Sequence, residues 1–262
     1  MRRETVMRRR GRVVWLVIGA SVAALTFSGI ALAGKRAVSG QQTLLIKAGL
    51  SPSSAAARHV TFSFHYEYRS TRPGQQPPYN MKTVTLLMPA GLVVNPTAAP
   101  ACKQSQINKA MGNLVFCPRK TIVGHGSVVA NARPLVPTLI TGTATVYNSV
   151  NDVGMGQPKG TRNLILSVKT SDGGIQVFPF QMMRGPGGRA KLVARLPKPP
   201  QPGVTRGTVT IQMLDLSVSG SVMGSFNTNP AVCSRSWQFA LMIVNYFNQP
   251  PITAYDQVKC KP

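Results

Sequence analysis

Hydrophobic and polar residues alternate with a period of two along most of this chain. In "HVTFSFHYEYR" (59–69), Val60, Phe62, Phe64, Tyr66 and Tyr68 fall on one face, and Thr61, Ser63, His65 and Glu67 on the other. That is the signature of a strand with one buried face. Similar strand signatures occur at 43–48, 82–88, 122–130, 139–148, 163–169, 174–182, 189–196, 208–218 and 236–246. Glycine- and proline-rich strings such as "STRPGQQPP", "VNDVGMGQPKG", "MRGPGGR" and "PKPPQPG" separate them and read as turns and loops. No long segment of the body has helical periodicity; one short helix is expected over about Lys103–Ala110. The pattern predicts an all-β fold, a β-sandwich of antiparallel strands with one short helix.

The N-terminus departs from this pattern. Arg2, Arg3, Arg8, Arg9, Arg10 and Arg12 precede an uncharged, mostly apolar run, Val13–Leu32, which ends in Ala31-Leu32-Ala33. A basic head, an apolar middle and small residues at Ala31 and Ala33 define an export signal cleaved after Ala33. The alternative is a retained anchor, since twenty residues at 1.5 Å each just span a bilayer core of about 30 Å. The positive-inside rule then leaves the arginines cytoplasmic and the body outside. Both readings put the body outside the cytoplasm, as a secreted protein or one anchored at the outer face of the membrane or wall. The expected organisation is a signal or anchor over 1–33, a tether over 34–41 and a β-sandwich domain over 42–262.

Charge adds a second constraint. The whole chain has 30 Lys and Arg against 6 Asp and Glu, a formal charge of +24. Residues 1–33 hold six of the cations and Glu4, so residues 34–262 carry 24 − 5 = +19. The cations are spread from Lys35 to Lys261, as on a folded surface. Such a protein is drawn to polyanions, which outside a bacterial cell are wall polymers and lipid head groups. Specific nucleic-acid recognition is not expected, because the few aromatics in the strands alternate as core residues do. In "RAKLVARL" (189–196), Arg189, Lys191 and Arg195 share a face, with Arg184, Lys198 and Arg206 near in sequence. These six residues are the candidate polyanion contact; the competing reading is an ordinary solvated face.

Catalytic chemistry has little to work with. Residues 34–262 contain Glu67, Asp152, Asp172, Asp215 and Asp256 as carboxylates, and His59, His65 and His125 as imidazoles. Glycosidases need paired carboxylates and hydrolytic triads a base with an orienting acid, and no local motif announces either. His65 and Glu67, two apart on one strand face, read as a solvent-facing pair. No catalytic residue, metal site or cofactor is expected.

Cys102, Cys117, Cys233 and Cys260 are an even set in a chain read as exported, which favours disulfides. Three pairings are open; sequence proximity suggests Cys102 with Cys117 and Cys233 with Cys260. A zinc site would show C-x-x-C pairs or clustered histidines. A reactive thiol would need an adjacent base, and His125 lies eight residues past Cys117. His125 between Gly124 and Gly126 instead suits a strand that another backbone approaches closely.

The run "PAGLVVNP" (89–96), Cys102, "CPRKTIVGHG" (117–126), "TVYN" (145–148), "LDLSVSG" (214–220) and "NPAVCSRSWQF" (229–239) resembles a group of exported, β-rich proteins of high-GC Gram-positive bacteria. The likeness covers about 41–260 and departs from the group at His125, where a small residue is common. It implies a secreted or surface β domain and brings no catalytic residue or ligand. The expected function is a non-catalytic exported protein of the cell surface, associating with anionic wall polymers or the membrane surface. The alternatives are a membrane-tethered domain of a larger assembly and a hydrolase of envelope polymers.

Overall fold

The computed structural model describes residues 36–73, 78–109, 116–131, 138–153, 158–171, 173–198, 210–219 and 227–262. The segment expected to be a signal or anchor, 1–33, with Ala31 and Ala33, lies outside them, as does Arg206. Among the described residues no helix is long and apolar enough to cross a membrane.

The alternation of 59–69 becomes β3 (Thr61–Ser70), with Phe62, Phe64, Tyr66 and Tyr68 buried. In chain order the strands before it are β1 (Ala37–Ser39) and β2 (Gln42–Ser51). After it come β4 (Met81–Leu87), β5 (Val93–Val94), β6 (Cys102–Lys103), helix α1 (Gln104–Lys109), β7 (Ile122–Asn131) and β8 (Ile140–Val150). The remainder are β9 (Arg162–Thr170), β10 (Ile175–Arg184), β11 (Ala190–Arg195), β12 (Thr210–Val218), β13 (Asn227–Thr228), β14 (Ser236–Asn245) and β15 (Ile252–Lys259).

The all-β expectation holds, and the layering differs from it. One sheet runs β1-β2-β3-β12-β7-β8-β9-β10-β11-β4-β14-β15, with β6 added parallel to β8. The pairings along the main path are antiparallel. In place of two separate sheets, this one curls until its ends meet. At the seam Ala48 N donates to Asp256 Oδ2 (2.7 Å), Gln42 Nε2 to Pro250 O (2.6 Å) and Ser39 Oγ to Pro251 O (2.8 Å). The result is a nearly closed, barrel-like wall, which hides a sheet's exposed edges. Strands β3 and β14 are not neighbours in the sheet, yet Phe62 stacks on Phe239 with centroids 5.5 Å apart. Opposite walls therefore touch, and the interior is a single apolar core. The segment expected to be a tether is folded in part, since Ala37–Ser39 pairs with β2 across a turn at Gly40 and Gln41.

One end of this interior is polar. Tyr68 Oη lies within hydrogen-bond reach of Gln42 Oε1 and of Asn245 Oδ1 (3.0 Å). Asn245 Nδ2 donates to Gln42 Oε1 (3.0 Å) and Pro250 O (2.8 Å). Burial pushes the Tyr68 phenol above its ordinary pKa, so it stays a donor. Tyr68→Phe leaves a buried acceptor unpaired and is expected to cost about 2 kcal/mol in urea unfolding. At the opposite end the small β5–β13 sheet sits by Val60, whose N–H bonds Asn227 O (3.1 Å).

Two disulfides brace the wall, paired as sequence proximity suggested. Cys233–Cys260 ties the two ends of the β14–β15 hairpin, and Cys102–Cys117 anchors α1. The second bridge packs with Ile107 on the outside of the sheet, over Ile165, Tyr147 and Val177, as a separate small core. Among the described residues there is no free cysteine.

Candidate functional site

Strand register fixes which polar residues share the outer face. Directly opposed residues point to the same side, so Lys47, His65, Asp215 and Ser127 form one row across β2, β3, β12 and β7. The adjacent row is Gly49, Ser63, Ser217 and His125. Apart from Gly49, these residues floor a shallow, open groove of about 380 Å³. Behind it, Gly124 and Gly126 let β12 come close, as expected from their spacing. A Cβ on Gly124 would lie 2.5 Å from Ser217 O, and one on Gly126 would fall onto the Asp215 carbonyl.

The groove contains a charge network that the sequence pattern did not disclose. His65 Nδ1 is 2.6 Å from Asp215 Oδ1, and its Nε2 is 3.6 Å from Glu67 Oε1. Glu67 Oε2 in turn takes Arg36 and Arg69, each at 3.1 Å. The His65 and Glu67 side chains are only 22% and 16% exposed, so the expected wet pair is instead half-buried and built into a chain of five ionisable side chains. Asp215 lies 150 residues from His65, a separation no local motif can signal.

A histidine between acids raises the hydrolase alternative. A hydroxyl nucleophile needs a hydrogen bond to the base, with the acid on the base's other nitrogen. Here the other nitrogen faces Glu67, and among the described residues no hydroxyl bonds to His65. Ser63, Ser127 and Ser217 line the groove, and none of them is hydrogen-bonded to the imidazole. Among the described residues there is also no cluster of three His, Cys, Asp or Glu side chains able to hold a metal. The network holds β3, β12 and the chain entering β1 together.

The remaining described carboxylates are likewise engaged inside the fold. Asp152 accepts from Ser105 N (2.8 Å) and Ser105 Oγ, and these bonds hold its carboxyl below the usual range. Asp256 is buried and accepts from Ala48 N. Meanwhile Lys47, Arg119, Lys120, Lys169, Arg195 and Lys198 are exposed.

Of the six residues expected to form a cationic strip, the five that are described do not share one face; Arg206 lies outside the described residues. Lys191 and Arg195 project outward from β11. Arg189 braces the wall, with Nε donating to Met88 O (2.7 Å) and an Nη to Gln238 O (2.8 Å). Arg184 opposes Ala190, so it shares the core side of β10 and emerges at that strand's end. Lys198 lies past the end of β11, its Nζ 6.0 Å above the Phe247 ring. Among the described residues, positive charge is thus distributed over the surface.

No protein-family model matches the chain, and neither curated proteins nor solved structures give a significant match.

Proposed function

We propose that this chain is an exported, non-catalytic protein of the cell surface, which associates with anionic envelope polymers through its distributed positive charge. The observation that carries this reading is the fate of the acids. The four described carboxylates of residues 34–262 all have partners within the fold, and with every acid counted these residues keep a formal charge of +19. The export signature of residues 1–33, the resemblance of residues 41–260 and the two disulfides support an oxidising, extracytoplasmic location.

Retention on purified cell walls tests the proposal. The Debye length falls from about 10 Å at 0.1 M salt to about 3 Å at 1 M. The protein is expected to bind at low salt and to elute progressively as salt rises. Retention that ignores salt, or none at low salt, contradicts it. The tethered alternative rests on Val13–Leu32 as a retained span. Mass spectrometry of the native N-terminus decides between the two: a start at Gly34 supports cleavage, and an intact N-terminus supports the tether.

A further inference from the structure

The interior is not completely filled. Eleven strands, β2 round to β15, enclose it, and a barrel of about eight is the size whose own side chains fill the lumen. The walls approach each other at Phe62 and Phe239, yet an apolar cavity of about 70 Å³ remains. Its lining includes Phe64, Tyr66, Leu166, Phe180, Leu192 and Leu241. Asn227, also in the lining, is satisfied by donating Nδ2 to Val60 O (3.2 Å). An apolar cavity of this kind stays dry and takes apolar guests; water needs two or more polar partners there. Its size suits about two methylene-sized groups, the end of a hydrocarbon chain rather than a ring system.

Strand β10 carries apolar side chains from this cavity toward the surface. Phe178, Phe180 and Met182 lie on its core side, pack against the core, and are nevertheless only half-buried. Two residues further along the same face is the exposed Arg184. From Phe180 to Arg184 is about 13 Å at the rise of a strand. Met88 and Val94, which also line the cavity, belong to the same end of the fold as the β10–β11 turn, where Met88 N bonds Ala190 O (2.9 Å).

We propose that the lumen binds the hydrocarbon chain of an anionic amphiphile, with the chain end in the cavity, the chain along Phe180 and Met182, and the head group at Arg184. The site is separate from the distributed surface charge, and each can fail without the other. The probe is cis-parinaric acid, added to the full-length chain at constant salt and displaced by saturated fatty acids of six to sixteen carbons. Saturable displacement that strengthens with chain length to an optimum is expected. Val146→Phe, which fills the cavity from its lining, is expected to weaken it at least tenfold. Leu166→Ala, which enlarges it, should move the optimum to longer chains. Arg184→Glu should weaken the acids about fivefold while leaving the matching n-alcohols unchanged. Vesicles carrying a parinaroyl phosphatidylglycerol distinguish the source: extraction from them assigns a membrane lipid, and displacement by free acids alone assigns a free fatty acid. Absence of saturable displacement overturns the proposal, as does displacement that Val146→Phe and Leu166→Ala both leave unchanged.

Discussion

Replacing Cys233 and Cys260 together by serine is expected to lower the unfolding free energy by about 3.5 kcal/mol, the chain-entropy value for the loop they close. Their separation is 27 residues, against 15 for Cys102 and Cys117, for which the same relation gives about 3 kcal/mol. Topology makes the first bridge the more important. Strand β15 ends the sheet, with a backbone ladder to β14 on one side and the side-chain seam to β2 on the other. The bridge holds the end of β15 to the start of β14, so its loss frees both the hairpin and the seam. Against a typical total of 5–15 kcal/mol, such a loss is large. Guanidinium unfolding of the oxidised protein and of each double variant measures it. A Cys233/Cys260 variant within 1 kcal/mol of the parent would show that the seam holds without its staple.

Gly126→Ala is expected to destabilise by about 3 kcal/mol, the upper range for forcing extra volume into a packed site. The added Cβ would overlap the Asp215 carbonyl and approach Leu216 Cδ2 to 2.9 Å. Both belong to the facing strand β12, so the two backbones must part. Asp215 sits in that ladder opposite both Ser127 and His65, so the separation also disturbs the His65–Asp215 contact. Ser127→Ala, one residue away on the exposed face, is the control and should change stability by less than about 0.5 kcal/mol. Paired urea titrations read both. Equal effects for the two substitutions would contradict the close approach of β7 and β12.

Ten strands could be read from the sequence because one face of the wall meets an apolar core and the other water, so period-two alternation survives. Strand β15 escaped that reading through Asp256. Ile252 and Ala254 are buried on alternate positions, and the next inward position is an aspartate where the pattern wants an apolar residue. Its side chain closes the seam with Ala48, a tertiary role that looks like a break in a strand. The curling of one sheet into a wall was hidden for the same reason: period two shows which face is buried, while closure depends on pairings far apart in sequence. Cysteine spacing suggested the bridges that form, and the Gly-His-Gly motif marked the close approach of β12. The His65 network was invisible because its parts come from β3, β12 and the segment before β1. Within the expected cationic strip, Arg184 and Arg189 sit near Lys191 in sequence, but a hairpin turn and two backbone carbonyls direct them elsewhere.

Export from the cytoplasm and disulfide stapling at the destination are proposed to go together in this chain. Trapping thiols with an alkylating agent at the moment of lysis of the native cells, then weighing the intact protein, tests this directly. A protein recovered from the envelope fraction with none of its four cysteines alkylated is the predicted result; a full-length cytosolic product with all four alkylated would contradict it.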